Sequence, residues 1–122
     1  MTRLFVYGTL RREIENRWSR HLASRGRHGG EGWVAGKLYR VTWYPAAVPD
    51  ETGRIVDDVY ELPDPAEEIL ASLDAYESDA YERAIVPVTL ADGRVVDGWI
   101  YWYVASTDRL VPIPSGDFLS AP

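Results

Sequence analysis

The 122-residue chain is 46% hydrophobic, carries a net charge of −6 and contains no cysteine. This length suffices for one compact domain with its own core. The acidic balance argues against a nucleic-acid-binding face, and the lack of thiols excludes disulfides, cysteine nucleophiles and thiolate metal sites.

Five Trp and eight Tyr stand against two Phe, so most of the aromatic rings bring a polar handle, a composition suited to a small-molecule pocket. Arg11, Arg12, Arg17, Arg20, Arg25 and Arg27 make a local basic stretch. Glu13, Glu15 and Glu31 interrupt it, and it reads as a solvated face. No run approaches the roughly 20 apolar residues of a membrane span. The first residues resemble neither a secretory signal nor an amphipathic presequence. The expectation is a soluble, cytoplasmic protein with neither nucleic-acid nor membrane partners.

In chain order, Leu4, Phe5, Val6 and Tyr7, in the run that opens at Arg3, have the aromatic and β-branched bias of a buried strand, which breaks at Tyr7-Gly8-Thr9-Leu10. Arg11 to Ser24 follows with Ile14, Trp18, His21 and Leu22 spaced for one face of a short helix. The segment RGRHGGEG, residues 25–32, reads as a loop on glycine content and lacks the spacing of a phosphate cradle. Gly32 to Trp43 reads as one strand; YPAAVPDETGR as a turn, a short strand and a second turn; and IVDDVYEL as the next strand.

Pro63-Asp64-Pro65 announces a second helix, with Asp64 as cap, Pro65 suited to the first helical position, and Glu67 and Glu68 at the positive end of the dipole. RAIVPVTL and VVDGWIYWYV are two further strands joined by ADGR, an Asp-Gly hairpin signal. The tail IPSGDFLSAP looks irregular. Many strands and two helices without β-α-β alternation predict an α+β domain with a mostly antiparallel sheet, closed into a barrel in one arrangement.

The second helix holds one carboxylate out of place. Turning about 100° per residue from Ala66 puts Ile69, Leu70, Leu73 and Tyr76 on one apolar stripe. Glu77 falls inside that stripe, while Asp74 sits at its edge, where water reaches it. A carboxylate on a core-facing position needs a hydrogen-bonding partner or a cavity, and burial would raise its pKa into the range of a general base. The alternative is a helix that frays and turns Glu77 to solvent. At the other end of the chain, a glycine closing a strand before a helix leaves the amides of Gly8, Thr9 and Leu10 able to bind a carboxylate or an oxyanion. The alternative there is an ordinary strand-to-helix turn.

Taken in order, these segments resemble the γ-glutamylcyclotransferase-like superfamily, nearest to its AIG2-like and γ-glutamylamine cyclotransferase branch. The resemblance rests on YGTL at Tyr7–Leu10, YPA at Tyr44–Ala46, LDAYE at Leu73–Glu77, YERAIVPV from Tyr81, WIYWY around Tyr101 and SGDF at Ser115–Phe118. It spans nearly the whole chain as one domain, 1–122. It implies a small mixed, mostly antiparallel β-barrel with flanking short helices. It also implies release of 5-oxoproline from a small γ-glutamyl amine or amino acid by intramolecular cyclisation, without metal or cofactor. Under the same resemblance Glu77 is the acid/base, the Tyr7, Gly8, Thr9 and Leu10 backbone forms the γ-glutamyl pocket, and Tyr81 and Tyr101 line it. Two departures stand out: Asp57-Asp58 replaces a common Gly-Glu pair, and Glu13 occupies a glycine position.

Other constellations are weaker. His21 and His28 lack metal-ligand spacing and read as surface or packing residues. No G-x-S-x-G elbow supports a serine hydrolase. Asp57 and Asp58 alternate across a strand and cannot form one paired site. The rival to catalysis is a binding module of the same fold without turnover; a third reading is removal of a γ-glutamyl protecting group in a biosynthetic pathway. The amine half of the substrate and the oligomeric state stay open at this stage.

Overall fold

The structure is a computed structural model and describes residues 2–7, 26–41, 45–63, 65–76 and 80–116. The helix expected over residues 11–24, the cap Asp64, and the site residues Gly8, Thr9, Leu10 and Glu77 lie outside the described residues.

The fold is organised on the strand that sequence reads most clearly. IVDDVYEL forms β5 (Ile55–Leu62), buried at six of its eight positions, as a strand covered on both faces must be. β1 (Thr2–Val6) runs antiparallel along one edge of β5, from Thr2 opposite Leu62 to Val6 opposite Asp58. β2 (Arg27–Val34) runs antiparallel along the other edge. Beyond β2 lies β6 (Tyr81–Leu90), which forms a long hairpin with β7 (Val95–Tyr103). A parallel contact between Leu4 and Trp99 joins β7 back to β1 and closes a five-stranded barrel in the order β1-β5-β2-β6-β7. A second, three-stranded sheet has β3 (Gly36–Arg40) at its centre, flanked by β4 (Pro45–Pro49) and the short β8 (Val111–Ile113).

Alternation along β1 and β5 sorts the core into two parts. Leu4, Val6, Tyr60 and Leu62 face α1 (Glu67–Tyr76) and pack with its Ile69, Leu70 and Leu73. Phe5, Ile55 and Val59 face the other way and join Val34, Val88 and Ile100 with Leu38, Ala47 and Ile113 of the second sheet. Of the helical stripe predicted from Ala66, the described members Ala66, Ile69, Leu70 and Leu73 are buried, while Glu67, Glu68, Ala71 and Ala75 are exposed.

Three expectations about element boundaries need correction. The glycine-rich segment is not a loop: Arg27 to Glu31 already belongs to β2. Its pairing with β5 slips between His28 and Glu31, and Gly30 there adopts a φ of 99°, so the glycine makes a bulge inside a strand instead of ending one. Gly32 to Trp43 is not one strand either. The chain leaves the barrel at Ala35 and starts the second sheet at Gly36, whose amide donates to the Gly53 carbonyl at 3.2 Å. Finally, the first intrahelical bond of α1 runs from the Leu70 amide to the Ala66 carbonyl at 3.0 Å. Ala66 is thus the capping position and Pro65 lies just outside the helix.

The ADGR hairpin forms as expected: the Leu90 amide donates to the Arg94 carbonyl at 2.8 Å, and Asp92 accepts from the Arg94 amide at 3.0 Å. Of the tail, residues 113–116 are described: Ile113 ends β8 and residues 114–116 form a turn. Gly116, at a φ of 69°, accepts from the Val56 amide at 3.1 Å. A Cβ there would stand 2.0 Å from the Arg54 carbonyl oxygen, so this close approach of tail to β5 requires glycine.

Candidate active site

The three described tyrosines of the predicted site are held by their hydroxyls. Tyr7 follows β1, and its hydroxyl donates to the backbone carbonyl of Tyr101 on β7. Tyr101 is 5% exposed, and its own hydroxyl donates to Asp74 Oδ1 at 2.6 Å. Tyr81, at the start of β6, donates to the Pro45 carbonyl at 2.6 Å and meets the Tyr103 ring edge to face at 5.4 Å. The structure thus brings Tyr7 and Tyr101 into one hydrogen-bonded chain. Tyr81 is anchored separately, to Pro45 at the start of β4.

Asp74, in the last turn of α1, is where the strands and helix meet. Arg83 lies directly opposite Tyr101 in the β6–β7 register and reaches the same carboxylate with two bonds: Nε to Oδ1 and a terminal nitrogen to Oδ2, each 2.9 Å. Its guanidinium also sits 4.4 Å from the centre of the Trp99 ring, a cation–π arrangement. Partial burial pushes the Asp74 carboxyl up, but the hydrogen bonds from Arg83 and Tyr101 and the Arg83 charge outweigh it and hold the group below the usual carboxylate range. Arg83 is correspondingly held above its ordinary value, chiefly by its hydrogen bonds to Asp74. Sequence placed Asp74 at the edge of the apolar stripe with water in reach, and its side chain is 41% exposed. What it missed was the partners, which lie nine and 27 positions away.

Two more acidic residues are fully buried. Asp57 and Asp58 have no solvent exposure and alternate across β5 as predicted. Asp58 shares the face of Tyr60 and Leu62, and His28 Nε2 lies 2.9 Å from its Oδ1. The His28 ring stands edge-on to Tyr60 at 5.4 Å. His28 is therefore a partner for a buried charge, a role that sequence did not assign. The signal was a pair of adjacent acids in the middle of a largely apolar strand, where burial demands a partner. Among the described residues no cluster of three or more His, Cys, Asp or Glu is placed to hold a metal ion. No described helix is long and apolar enough to cross a membrane.

The site's two ends meet the segments singled out in the sequence. Tyr7 is bonded to Gly8, and α1 ends at Tyr76, immediately before Glu77.

This barrel architecture is shared by solved structures. The solution structure of YtfP from Escherichia coli is 31% identical with a TM-score of 0.71, covering 98% of this chain and 97% of that one. The crystal structure of an AIG2-like protein from Mus musculus superposes with a TM-score of 0.73 at 23% identity, covering all of this chain and 84% of its own, and shows the likeness of fold alone. The fold class is therefore γ-glutamylcyclotransferase-like. A family model described as "Gamma-glutamyl cyclotransferase, AIG2-like" matches residues 4–120. A protein of Methanocaldococcus jannaschii, provisionally named a gamma-glutamylcyclotransferase, is 32% identical over 97% of this chain and 96% of its own. The chain belongs to the AIG2-like gamma-glutamyl cyclotransferase family.

Proposed function

We propose that this protein is a cytoplasmic cyclotransferase that releases 5-oxoproline from a small γ-glutamyl amine or amino acid, working as a single domain. Glu77 is the acid/base, and the Tyr7–Leu10 backbone cradles the γ-glutamyl group. The observation that supports this reading is the chain Tyr7–Tyr101–Asp74. It ties the end of β1 to the last turn of α1, the two elements that lead directly into Gly8-Thr9-Leu10 and Glu77. Family membership supports the same class of chemistry.

The reaction balances within the substrate and one carboxyl group. Glu77 takes a proton from the substrate α-ammonium, and the freed amine attacks the γ-carbonyl carbon of the same molecule, closing a five-membered ring. The carbonyl oxygen gains negative charge, which backbone amides are suited to stabilise. The protonated Glu77 then donates its proton to the departing nitrogen as the old C–N bond breaks. The ring nitrogen, which still carries two hydrogens, gives its second proton to the regenerated Glu77 carboxylate, which passes it to the departing amine. The products are 5-oxoproline and the amine, released as its ammonium ion. Nucleophile and electrophile belong to one molecule, so the enzyme's main task is to hold the glutamyl chain folded. Tyr7, Tyr81 and Tyr101 already donate their hydroxyl protons to protein acceptors. In this reading they line and brace the pocket, and proton transfer is left to Glu77.

The test is mass spectrometry of 5-oxoproline across a panel of γ-glutamyl amines, amino acids and peptides, with wild type and Glu77→Gln side by side and circular dichroism to confirm folding. We expect product from wild type and a rate lower by roughly 10²–10⁴-fold in Glu77→Gln, the range for loss of a general base. Near-normal turnover by a folded Glu77→Gln protein removes Glu77 from the mechanism. No product from any substrate replaces the cyclotransferase with a binding module of the same fold.

A further inference from the structure

We propose that Asp74 and Arg83 form a positioning clamp for the acid/base, holding the end of α1 against the barrel and keeping the local charge balanced; the proposal rests on the reading of Glu77 above. The first argument is that Asp74 is a poor choice for the helix alone. It is an acid in the last turn, where the helix dipole favours a cation, and that turn carries no basic residue of its own. The cation comes instead from β6. Arg83 binds both oxygens of Asp74, and Tyr101 of β7 adds a third bond to Oδ1.

The second argument is geometric. Three hydrogen bonds from two adjacent strands to one carboxylate fix it in both position and rotation, because the planar fork of arginine accepts only one orientation of its partner. The fork is itself seated on Trp99 at 4.4 Å. Asp74 stands three residues before Glu77, so the clamp sets where the chain leaves the helix. Misplacing a reacting group by about 1 Å costs on the order of a hundredfold in rate.

The third argument is electrostatic. Among the described residues, the titratable and charged groups facing Asp74 are Arg83 from β6 and Tyr101 from β7; Tyr81 and Tyr103 on the same strands pair with each other. Asp74 and Arg83 together are neutral, and losing either one leaves a single charge at the end of α1, three residues before Glu77 in the chain. An uncompensated Arg83 favours the ionised form of Glu77, whereas an uncompensated Asp74 disfavours it.

The experiment measures kcat, KM and the pH profile of kcat/KM for Asp74→Asn, Arg83→Gln, the double variant and Arg83→Lys, with Glu77→Gln as reference and circular dichroism on each. We expect kcat to fall about 10- to 100-fold in each single variant, with KM changed far less. The acidic limb should move down in Asp74→Asn and up in Arg83→Gln, each by about half a pH unit, the scale of one charge acting through partly solvated surroundings. The double variant should bring the limb back towards wild type. Arg83→Lys keeps the charge but loses the fork, so its limb should stay in place while kcat falls; it tests the clamp even if Arg83→Gln fails to fold. Wild-type kcat and limb in the clamp variants, alongside an inactive Glu77→Gln, overturn the clamp and leave Glu77 standing. Loss of activity with unmoved limbs in the charge-removing variants Asp74→Asn and Arg83→Gln makes the pair merely structural and also overturns it. An active Glu77→Gln overturns both proposals.

Discussion

Asp58 shows what a single buried carboxyl group requires of its neighbours. It has no solvent exposure, and the His28 ring reaches it across the β2 bulge. The bulge and the pair belong together, since the extra backbone at Gly29-Gly30 changes the register between His28 and Asp58's own cross-strand partner, Glu31. Removing the imidazole withdraws a hydrogen bond from a buried carboxylate. His28→Ala should therefore destabilise the fold by about 1–3 kcal/mol, the range for a buried polar group that loses its hydrogen-bond partner. Urea unfolding of the two proteins checks this, and an unchanged midpoint would show that His28 contributes nothing to holding Asp58. This pair was not legible in sequence, because its members are 30 positions apart and neither belongs to a recognisable motif.

At the scale of elements, α1 is the piece whose local chemistry and tertiary role agree best. Its apolar residues recur at the 3.6-residue period, its first turn carries Glu67 and Glu68, and the buried set is the one that period selects. A helix of ten residues is too short to be stable by itself, so packing against Leu4, Tyr60, Leu62 and Tyr101 must hold it in place. Leu73 has no solvent exposure. Leu73→Ala should cost about 2–5 kcal/mol, read as a lower denaturation midpoint with an unchanged slope. An effect within about 0.5 kcal/mol, as expected of a surface site, would mean that α1 does not pack as described. Strands were legible to the extent that their pattern stood alone. β5 and the β6–β7 hairpin follow directly from their runs and from ADGR. β2 was hidden because glycine reads as a loop unless the strands on either side are known.

At the scale of the whole molecule, three carboxylates among the described residues contribute to the response to acid. Side-chain and backbone hydrogen bonds from Thr52 hold Asp50 below its ordinary range, and the backbone and side chain of Arg94 do the same for Asp92. Asp74 joins them because the bonds from Arg83 and Tyr101 outweigh its partial burial. When the folded pKa lies below the unfolded value, the unfolded chain binds more protons in the interval between them. Stability then rises with pH through that interval. Their contribution should be fully present above the unfolded carboxylate value of about 3.9 and disappear as pH falls through the lower folded values. The urea midpoint should thus be nearly level from about pH 7 to 5 as far as these groups are concerned, and fall below about pH 4. Asp74→Asn should make that fall shallower; an equally steep fall would remove Asp74 from the acid response.

Sequence by itself determined the family, most of the strands, the buried face of α1 and the alternation of Asp57 and Asp58. All of these depend on residues close together in the chain, or on an ordered series of short motifs, and local periodicity carries that information. Only the tertiary structure decided that the barrel closes through Leu4 and Trp99, that His28 serves Asp58, and that Asp74 is gripped by Arg83 and Tyr101. Each of these joins residues on different elements. Which polar groups meet there depends on strand order and register, and those are set by how the whole chain buries its apolar faces, not by any one segment.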